Sequence, residues 1–428
     1  MSFKDFQKAP NRLTSREIGF LLLAGIIVAL VLYGLAVGNY RLANFLQGGG
    51  EFYLLRTSGQ SFLFDQIEPY SGIVPARVQD QVYGGPAVAG EKLYILDIPF
   101  HLLILIFPLA VIPDVLIARA FWLALTEVAL AGFIYIGFRI IDKRLPVFFY
   151  ILIAIAGFFS FYTYRTLVEG SLSILLGLMY VGILLSLRTG LDELSGALMV
   201  LSAFQWEMGG PFLLLITFWI FWEKRRRVFF GAGMLAFILL AFSFFLYPGW
   251  LLPFLRAAWS SFKVGYGYSL HDILGQIWPQ FGSTLSWVIT AILVFALGYE
   301  WYETRRANLN RLTWTAAFTL AATPFLGFHV ELEQLVPLIL PLMLIIIISR
   351  ERWQKLGNGI ALLQLAIYFG VPWLLFTQGL PQRIGIGVND LIFLLWPSLA
   401  ILGMYWIRWW TIVAGWSEPW PVLVAAAR

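Results

Sequence analysis

Long apolar stretches separated by short polar segments run through most of this chain. The first covers residues 19–37, and a helix of that length crosses a hydrocarbon layer of about 30 Å. Similar stretches follow at residues 95–112, 118–140, 146–162, 167–187, 194–222, 228–247, 284–301, 312–328, 335–349, 359–377 and 391–408. The pattern predicts an all-α polytopic membrane protein with about twelve transmembrane helices, folded as a single transmembrane domain over residues 1–428.

Two longer polar segments interrupt the apolar pattern, at residues 39–94 and 248–283. Both are too mixed in composition to cross a membrane, so we expect two large loops on the outer face. The first should form short helices lying on the membrane surface. Shorter polar turns at residues 329–334 and 378–390 fall on the same face by this count.

Basic residues indicate which face is cytoplasmic, because cytoplasmic loops collect Lys and Arg. The segment before the first apolar stretch carries Lys4, Lys8, Arg12 and Arg16, so we expect a cytoplasmic N-terminus. Further basic clusters fall on the same face, at residues 223–227, 304–311 and 350–355. The cluster Asp142-Lys143-Arg144 falls on the opposite face, which leaves the path of the chain between residues 113 and 170 open.

Composition excludes a water-soluble surface, since 60% of residues are hydrophobic, 12% are charged and the mean hydropathy is +0.80. The absence of cysteine excludes disulfides, thiolate nucleophiles and Cys-ligated metals. The formal charge of +5 follows from the basic loops and does not indicate nucleic acid as a partner. Three scattered histidines are too few for a metal site, and without a G-x-x-x-x-G-K-[ST] loop the sequence does not indicate an ATP-driven pump. We expect neither a metal nor a cofactor.

The first polar segment carries an ordered motif directly after the first apolar stretch. Residues 50–70 read GEFYLLRTSGQSFLFDQIEPY, with Glu51-Phe52, Ser58-Gly59 and Pro69-Tyr70 in that order. This order resembles the first outer loop of glycosyltransferase family 87, which typically reads D-F-x-x-Y-x-x-A-x-x-x-L-x-x-G-x-x-P-Y. The family's leading Asp, its catalytic base, corresponds to Glu51, which is longer by one methylene.

Weaker similarities to the same family continue along the chain. Asp97-Ile98-Pro99-Phe100 looks like its Y-P-P-L step, and Thr323-Pro324 with His329 resembles its late S-P and H positions. Residues 196–211 resemble a further family segment but lack its usual Lys. The resemblance implies a GT-C-like bundle, a polyprenyl-phosphate-linked sugar donor, and a lipid, glycan or protein acceptor. It also implies a multi-pass protein in contact with membrane lipids, here in a bacterial plasma membrane.

Transfer of a sugar from a lipid phosphate needs a base for the acceptor hydroxyl and a cationic or hydrogen-bonding cradle for the departing phosphate. Glu51 is the candidate base, and Asp97, beside the P-P-like step, is the next candidate. The candidates for the cradle are Arg56, Arg256, Lys263, His271, His329 and Arg383. Arg256 and Lys263 share one face if residues 253–263 are helical. For each candidate, an ordinary solvated or interfacial residue is the competing interpretation.

Three acids lie within or beside predicted spans: Glu127, Glu169 and Glu207. A charge at mid-bilayer costs about 2.5 to 3.5 kcal/mol on insertion scales, so each should face protein or a water-filled cavity. Such acids are also typical of proton-coupled transporters. A secondary transporter or lipid-linked-sugar flippase therefore stays open as an alternative, as does a non-catalytic subunit of an envelope assembly. Transporters usually show paired inverted halves, and no half-to-half repeat is evident in this sequence.

Overall fold

A computed structural model describes residues 15–46, 48–88, 91–305, 307–379 and 387–412. Regular structure in these ranges is helical, apart from an isolated antiparallel bridge between Tyr268 and Val330. The predicted all-α class is therefore confirmed. Helices suit this apolar chain because they satisfy their backbone groups internally, as a membrane requires. Arg383, Lys4, Lys8 and Arg12 lie outside the described residues.

The helices follow one another with short connections. The first group consists of α1 (Ser15–Phe45), α2 (Gly50–Leu63), α3 (Ile73–Tyr83), α4 (Phe100–Leu103) and α5 (Phe107–Val111). The second consists of α6 (Val115–Ile141), α7 (Val147–Phe158), α8 (Phe161–Glu169), α9 (Ser173–Thr189), α10 (Asp192–Leu201), α11 (Trp206–Trp222) and α12 (Arg226–Leu246). The third consists of α13 (Leu251–Val264), α14 (Leu270–Ile277), α15 (Gly282–Thr304), α16 (Leu309–Ala322), α17 (Ile339–Arg352), α18 (Gln354–Leu365), α19 (Val371–Gln378) and α20 (Val388–Ile412). A 3₁₀ helix, Leu332–Leu338, leads directly into α17, and a π-helical turn joins α18 to α19.

Fewer helices than predicted are long and apolar enough to cross a membrane. Within the described ranges there are six: Val115–Ile141, Arg226–Leu246, Gly282–Thr304, Leu332–Arg352, Lys355–Gln378 and Val388–Ile412. A seventh is added if α7 and α8, which meet at a bend of 46°, count as one span. The expected twelve spans are not confirmed. One reason is that α9 and α11 have 17 residues each, about 26 Å of helix, which is short for a hydrocarbon core of about 30 Å.

Ion pairs gather the basic loops at one end of the bundle, which we call the basic end. Lys143 Nζ lies 2.8 Å from Glu351 Oε1, so the loop after α6 and the end of α17 are neighbours. Arg225 pairs with Asp192 at 3.3 Å and donates a hydrogen bond to the Leu187 carbonyl, and Arg188 beside it donates one to the carbonyl of Ile140, just before residues 142–144. The cluster at residues 142–144 therefore lies with the other basic clusters, and its predicted position on the opposite face was wrong.

A buried acid joins three helices at the basic end. The Glu300 carboxylate in α15 accepts hydrogen bonds from Arg408 in α20, at 2.8 and 3.1 Å, and from Arg311 in α16, at 3.4 Å. Glu300 is almost completely buried. Because a buried charge is costly unless paired, these contacts fix the relative positions of α15, α16 and α20.

The predicted second span, residues 95–112, does not cross the bundle. It forms the short helices α4 and α5. The guanidinium of Arg56 in α2 donates hydrogen bonds to the carbonyls of Ile112 and Pro113. The chain therefore returns to the end of the bundle where α1 finished, and α6 starts from there.

The predicted single span at residues 194–222 contains two helices that run in opposite directions. Asp192, at the start of α10, is paired at the basic end. Gln205, just before α11, accepts a hydrogen bond from Ser173 at the start of α9, at the other end. This extra reversal compensates for the missing second span. The loop at residues 223–227 consequently lies on the predicted side.

The most apolar helices differ in where they lie. Every residue of Leu312–Ala322 in α16 and of Ile339–Ser349 in α17 is buried, so these two helices form the centre of the bundle. By contrast, only 17% of the apolar window of α12 is buried. A helix that is apolar on all sides belongs either in a protein core or in lipid. Because most of α12 is not buried by protein, this helix faces lipid.

Candidate active site

A cavity of ≈ 280 Å³ lies at the end of the bundle opposite the basic end, among α2, α11, α13 and the segment before α4. We call it the carboxylate cavity. Its ionisable lining residues are Glu51, Lys92, Asp97, Glu207, His329 and Glu331. The fold thus brings together three of the sequence candidates, Glu51, Asp97 and His329, from distant parts of the chain.

The glycine run before α2 determines the position of Glu51. Gly48 and Gly49 both have φ of 99°, in the left-handed region that favours glycine. Gly50 lies so close to Tyr94 that a Cβ atom there would overlap the tyrosine ring. The chain therefore turns sharply from α1 into α2, and Glu51 lies in the first turn of this helix and lines the cavity.

The Lys92 ammonium lies among three carboxylates at the edge of this cavity. Lys92 Nζ is 3.2 Å from Glu51 Oε1 and 3.8 Å from Glu333 Oε1, and it donates a short hydrogen bond to Glu331 Oε2. All four side chains are less than one-fifth exposed. Since buried charges are costly unless paired, this cluster is held together by its own charges.

The protonation of this cluster follows from its surroundings. Burial alone lowers the pKa of Lys92, but the charges of Glu331, Glu51 and Glu333 outweigh it and raise that pKa well above its ordinary value. Burial also raises the pKa of Glu331, and the Lys92 charge only partly opposes this effect. Lys92 is therefore cationic at neutral pH.

The same carboxylates could also hold a metal ion. Glu51, Glu331 and Glu333 each offer an oxygen atom within 4.8 Å of the others, and hard divalent cations prefer such oxygen ligands. Lys92 already places a positive charge among these oxygens. The chain thus supplies its own counter-charge at this position.

Asp97 and His329 line the same cavity through different contacts. Asp97 Oδ2 accepts a hydrogen bond of 2.8 Å from Ser261 Oγ in α13. Burial raises the pKa of Asp97, and the bond from Ser261 partly opposes this shift. His329 Nε2 lies 2.9 Å from Asp272 Oδ2 of α14. Both residues therefore stand at the contact between the bundle and the segment that contains α13 and α14.

Four other candidates do not belong to the lining of this cavity as the described residues form it. Arg56 is bound to backbone carbonyls after α5. Arg256 is exposed on α13, and Lys263 lies over a tryptophan ring of the same helix, at 5.4 Å. His271 shares hydrogen bonds with two serines of α15. The helix that would place Arg256 and Lys263 on one face is present.

The acids placed within or beside spans meet protein or a cavity, as membrane energetics requires. Glu127 accepts a hydrogen bond of 2.8 Å from Asn39 Nδ2. Glu207 lines the carboxylate cavity, and Glu169 lines a second cavity beside it.

Sequence reasoning did not select Lys92, Glu331 or Glu333. Contacts of Lys92 with Glu51 and Glu331 span 41 and 239 residues of sequence, so no local spacing reveals them. The available signal was the pair of acids in the turn at residues 329–334, on the face already assigned to the site.

An apolar helical bundle with a polar, carboxylate-lined cavity at one end is an integral membrane protein that carries the groups for acid–base chemistry. The family model of glycosyltransferase family 87 matches residues 99–326, more than half of the chain, and the chain belongs to this family. The protein is therefore a membrane glycosyltransferase, which decides against the transporter and non-catalytic alternatives. Glu51, Asp97 and His329 lie outside the matched residues. Comparison with curated proteins and with solved structures gave no match.

Proposed function

We propose that this glycosyltransferase moves a sugar from a polyprenyl-phosphate donor to an acceptor hydroxyl in the carboxylate cavity, with Glu51 as the general base. The observation that carries the proposal is the position of the Glu51 carboxylate, which lines the cavity 3.2 Å from the Lys92 ammonium. A carboxylate beside a fixed cation can accept a proton from a bound hydroxyl. The family's usual acid occupies the corresponding place in the motif at residues 50–70.

The proposed step balances as a single displacement. Glu51 removes the proton of the acceptor hydroxyl while that oxygen attacks the anomeric carbon of the donor sugar. The bond from this carbon to the phosphate oxygen breaks, and its electron pair leaves with polyprenyl phosphate, which gains one negative charge. Lys92 and His329 are the groups we assign to stabilise that charge. The proton stays on Glu51 until it passes to solvent.

The walls of the cavity suit a donor with a lipid chain. Apolar side chains, including Leu54, Ile95 and Phe262, lie beside the carboxylates in the lining. The helix that contributes Phe262, α13, has no buried residue and exposes 64% of Leu252 and 59% of Trp259. A helix with such an apolar face lies at a membrane surface. We therefore place the prenyl chain beside α13. The two basic residues of this helix, Arg256 and Lys263, then lie among lipid headgroups.

The charge asymmetry of the bundle suggests its orientation. The clusters at residues 142–144, 223–227 and 350–352 share the basic end, and basic loops stay in the cytoplasm. We infer that the carboxylate cavity faces the outer side of the membrane, a bacterial plasma membrane in this proposal, and that donor and acceptor meet there.

Removal of the Glu51 carboxylate tests the proposal. Glu51→Gln should lower turnover about 10²- to 10⁴-fold, the usual contribution of a general base, with little change in donor KM. Glu51→Asp restores the family's own acid and should retain part of the activity. The measurement is sugar transfer from a polyprenyl-phosphate sugar by the purified protein in lipid.

Glu303→Gln is the matched control, because it also removes a carboxylate from an ion pair. Glu303 pairs with Arg311 at 3.6 Å at the basic end. Its replacement should leave transfer within about twofold of wild type. Undiminished transfer by Glu51→Gln would exclude Glu51 as the base and direct the search to Asp97.

A further inference from the structure

A second cavity, of ≈ 600 Å³, adjoins the carboxylate cavity. The two linings share Lys92, Tyr94, Tyr266 and Glu331, so the cluster around Lys92 forms the boundary between them. The volume lies within the range of about 300–1,000 Å³ that is typical of small-molecule sites. We call this second space the tyrosine cavity.

The lining of the tyrosine cavity is polar and aromatic. Four tyrosines contribute to it: Tyr83, Tyr94, Tyr266 and Tyr268. Among its described lining residues Leu332 alone is aliphatic, whereas leucines and isoleucines form much of the wall of the carboxylate cavity. A prenyl chain therefore fits the first cavity and not the second. Tyrosine rings pack against apolar C–H groups while their hydroxyls stay available for hydrogen bonds.

Two ionisable side chains of α8 line the cavity one helical turn apart. Arg165 Nε and Glu169 Oε2 are buried, and neither makes a hydrogen bond to the rest of the described chain. Buried polar atoms almost always have a partner, and both of these atoms can take one from a molecule in the cavity. A guanidinium donates and a carboxylate accepts, and a hydroxyl group can do both.

The lining combines hydrogen-bonding groups with aromatic faces. It contains four carboxyl groups, on Glu91, Glu169, Glu331 and Glu333, and the two cations Lys92 and Arg165, beside the four tyrosine rings. A polyol offers hydroxyls to the charged groups and C–H faces to the rings.

We propose that the tyrosine cavity binds a polyhydroxylated part of the acceptor, a sugar or a similar polyol, through Arg165 and Glu169. This inference rests on the proposed function, because it assigns the second substrate of the same transfer. The acceptor hydroxyl reaches Glu51 across the Lys92 boundary, while the donor's sugar and phosphate occupy the carboxylate cavity and its prenyl chain lies beside α13.

Binding in the absence of donor tests the inference separately from catalysis. Neutral disaccharides are titrated into the purified protein in lipid nanodiscs, with heat or intrinsic fluorescence as the signal. A disaccharide should bind to the wild-type protein, and Arg165→Gln and Glu169→Gln should each weaken its binding about tenfold. Arg77→Gln is the matched control, since Arg77 is an exposed arginine paired with Asp65.

Two results would overturn the inference. These are equal disaccharide binding by the two α8 variants and wild type, or no binding of any neutral disaccharide to wild type. Because no donor is present, these outcomes do not depend on Glu51. If the wild-type protein binds a disaccharide but transfers no sugar from a polyprenyl-phosphate donor, the result contradicts the proposed function alone.

A kinetic comparison separates acceptor binding from a general loss of structure. Glu169→Gln should raise the acceptor KM about tenfold and change the donor KM by less than about twofold. Equal changes in both constants would contradict the inference. If the Gln variants of α8 fail to fold, Glu169→Asp keeps the carboxylate but shortens its reach, and it should likewise raise the acceptor KM more than the donor KM.

Discussion

The chemistry of the carboxylate cavity depends on one ammonium group and the acids around it. Lys92 contacts Glu51, Glu331 and Glu333, which come from α2 and from the turn before α17. Burial raises the pKa of Glu331, and the neighbouring Lys92 charge opposes this shift. The Lys92 charge therefore offsets the repulsion among the carboxylates, one of which, Glu51, is the base in our proposal.

Replacement of Lys92 should change the pH dependence of transfer. Without the ammonium, three carboxylates lie within 4.8 Å of one another, and their repulsion favours uptake of protons. A base that already carries a proton cannot take another, so Lys92→Met should be less active at neutral pH and regain activity as the pH rises. We expect the acidic limb of the kcat/KM profile to move up by about one pH unit or more.

Lys92→Arg keeps the positive charge and is the matched control for this profile. Its acidic limb should stay close to that of wild type, even where the different shape of the guanidinium lowers the rate. An unchanged acidic limb in Lys92→Met would contradict the prediction. So would loss of wild-type transfer on addition of EDTA, because a divalent ion and not Lys92 would then neutralise the carboxylates.

At the scale of single elements, the start of α2 links the fold to the site. Gly50 packs against Tyr94, and Gly170, at the end of α8, packs against Phe52 in the same helix turn as Glu51. Neither contact leaves room for a side chain on the glycine. The sequence predicted short helices within residues 39–94, and α2, with Glu51 in its first turn, is one of them.

Gly50→Ala should displace Glu51 and lower turnover by about tenfold or more, since a Cβ atom there overlaps Tyr94 and α2 has to move. Gly38→Ala in α1 is the control, because nothing lies within 4 Å of the added atom and alanine favours a helix by about 0.5–1 kcal/mol. The measurements are turnover and thermal unfolding of both variants. Wild-type turnover in Gly50→Ala would show that the start of α2 tolerates movement.

The fold and the site were predictable to different extents. Apolar periodicity and composition indicate the all-α membrane class, because lipid admits few other structures. Counting spans failed at residues 95–112 and 194–222, since hydropathy does not distinguish a crossing helix from short helices that turn back. The cluster around Lys92 was not predictable, because its contact with Glu331 spans 239 residues and depends on how the whole bundle packs.

At the scale of the whole molecule, the shared basic end predicts which positions an external reagent can reach. The chain contains no cysteine, so single cysteines report their own position. Arg144→Cys and Arg352→Cys should stay unlabelled by a membrane-impermeant maleimide in intact cells, because Lys143 and Glu351 pair at 2.8 Å and basic loops remain cytoplasmic. Glu68→Cys, exposed beside α2, should be labelled and serves as the positive control. Labelling at position 144 but not at position 352 would place the two loops on opposite faces of the membrane. That result would contradict the shared basic end.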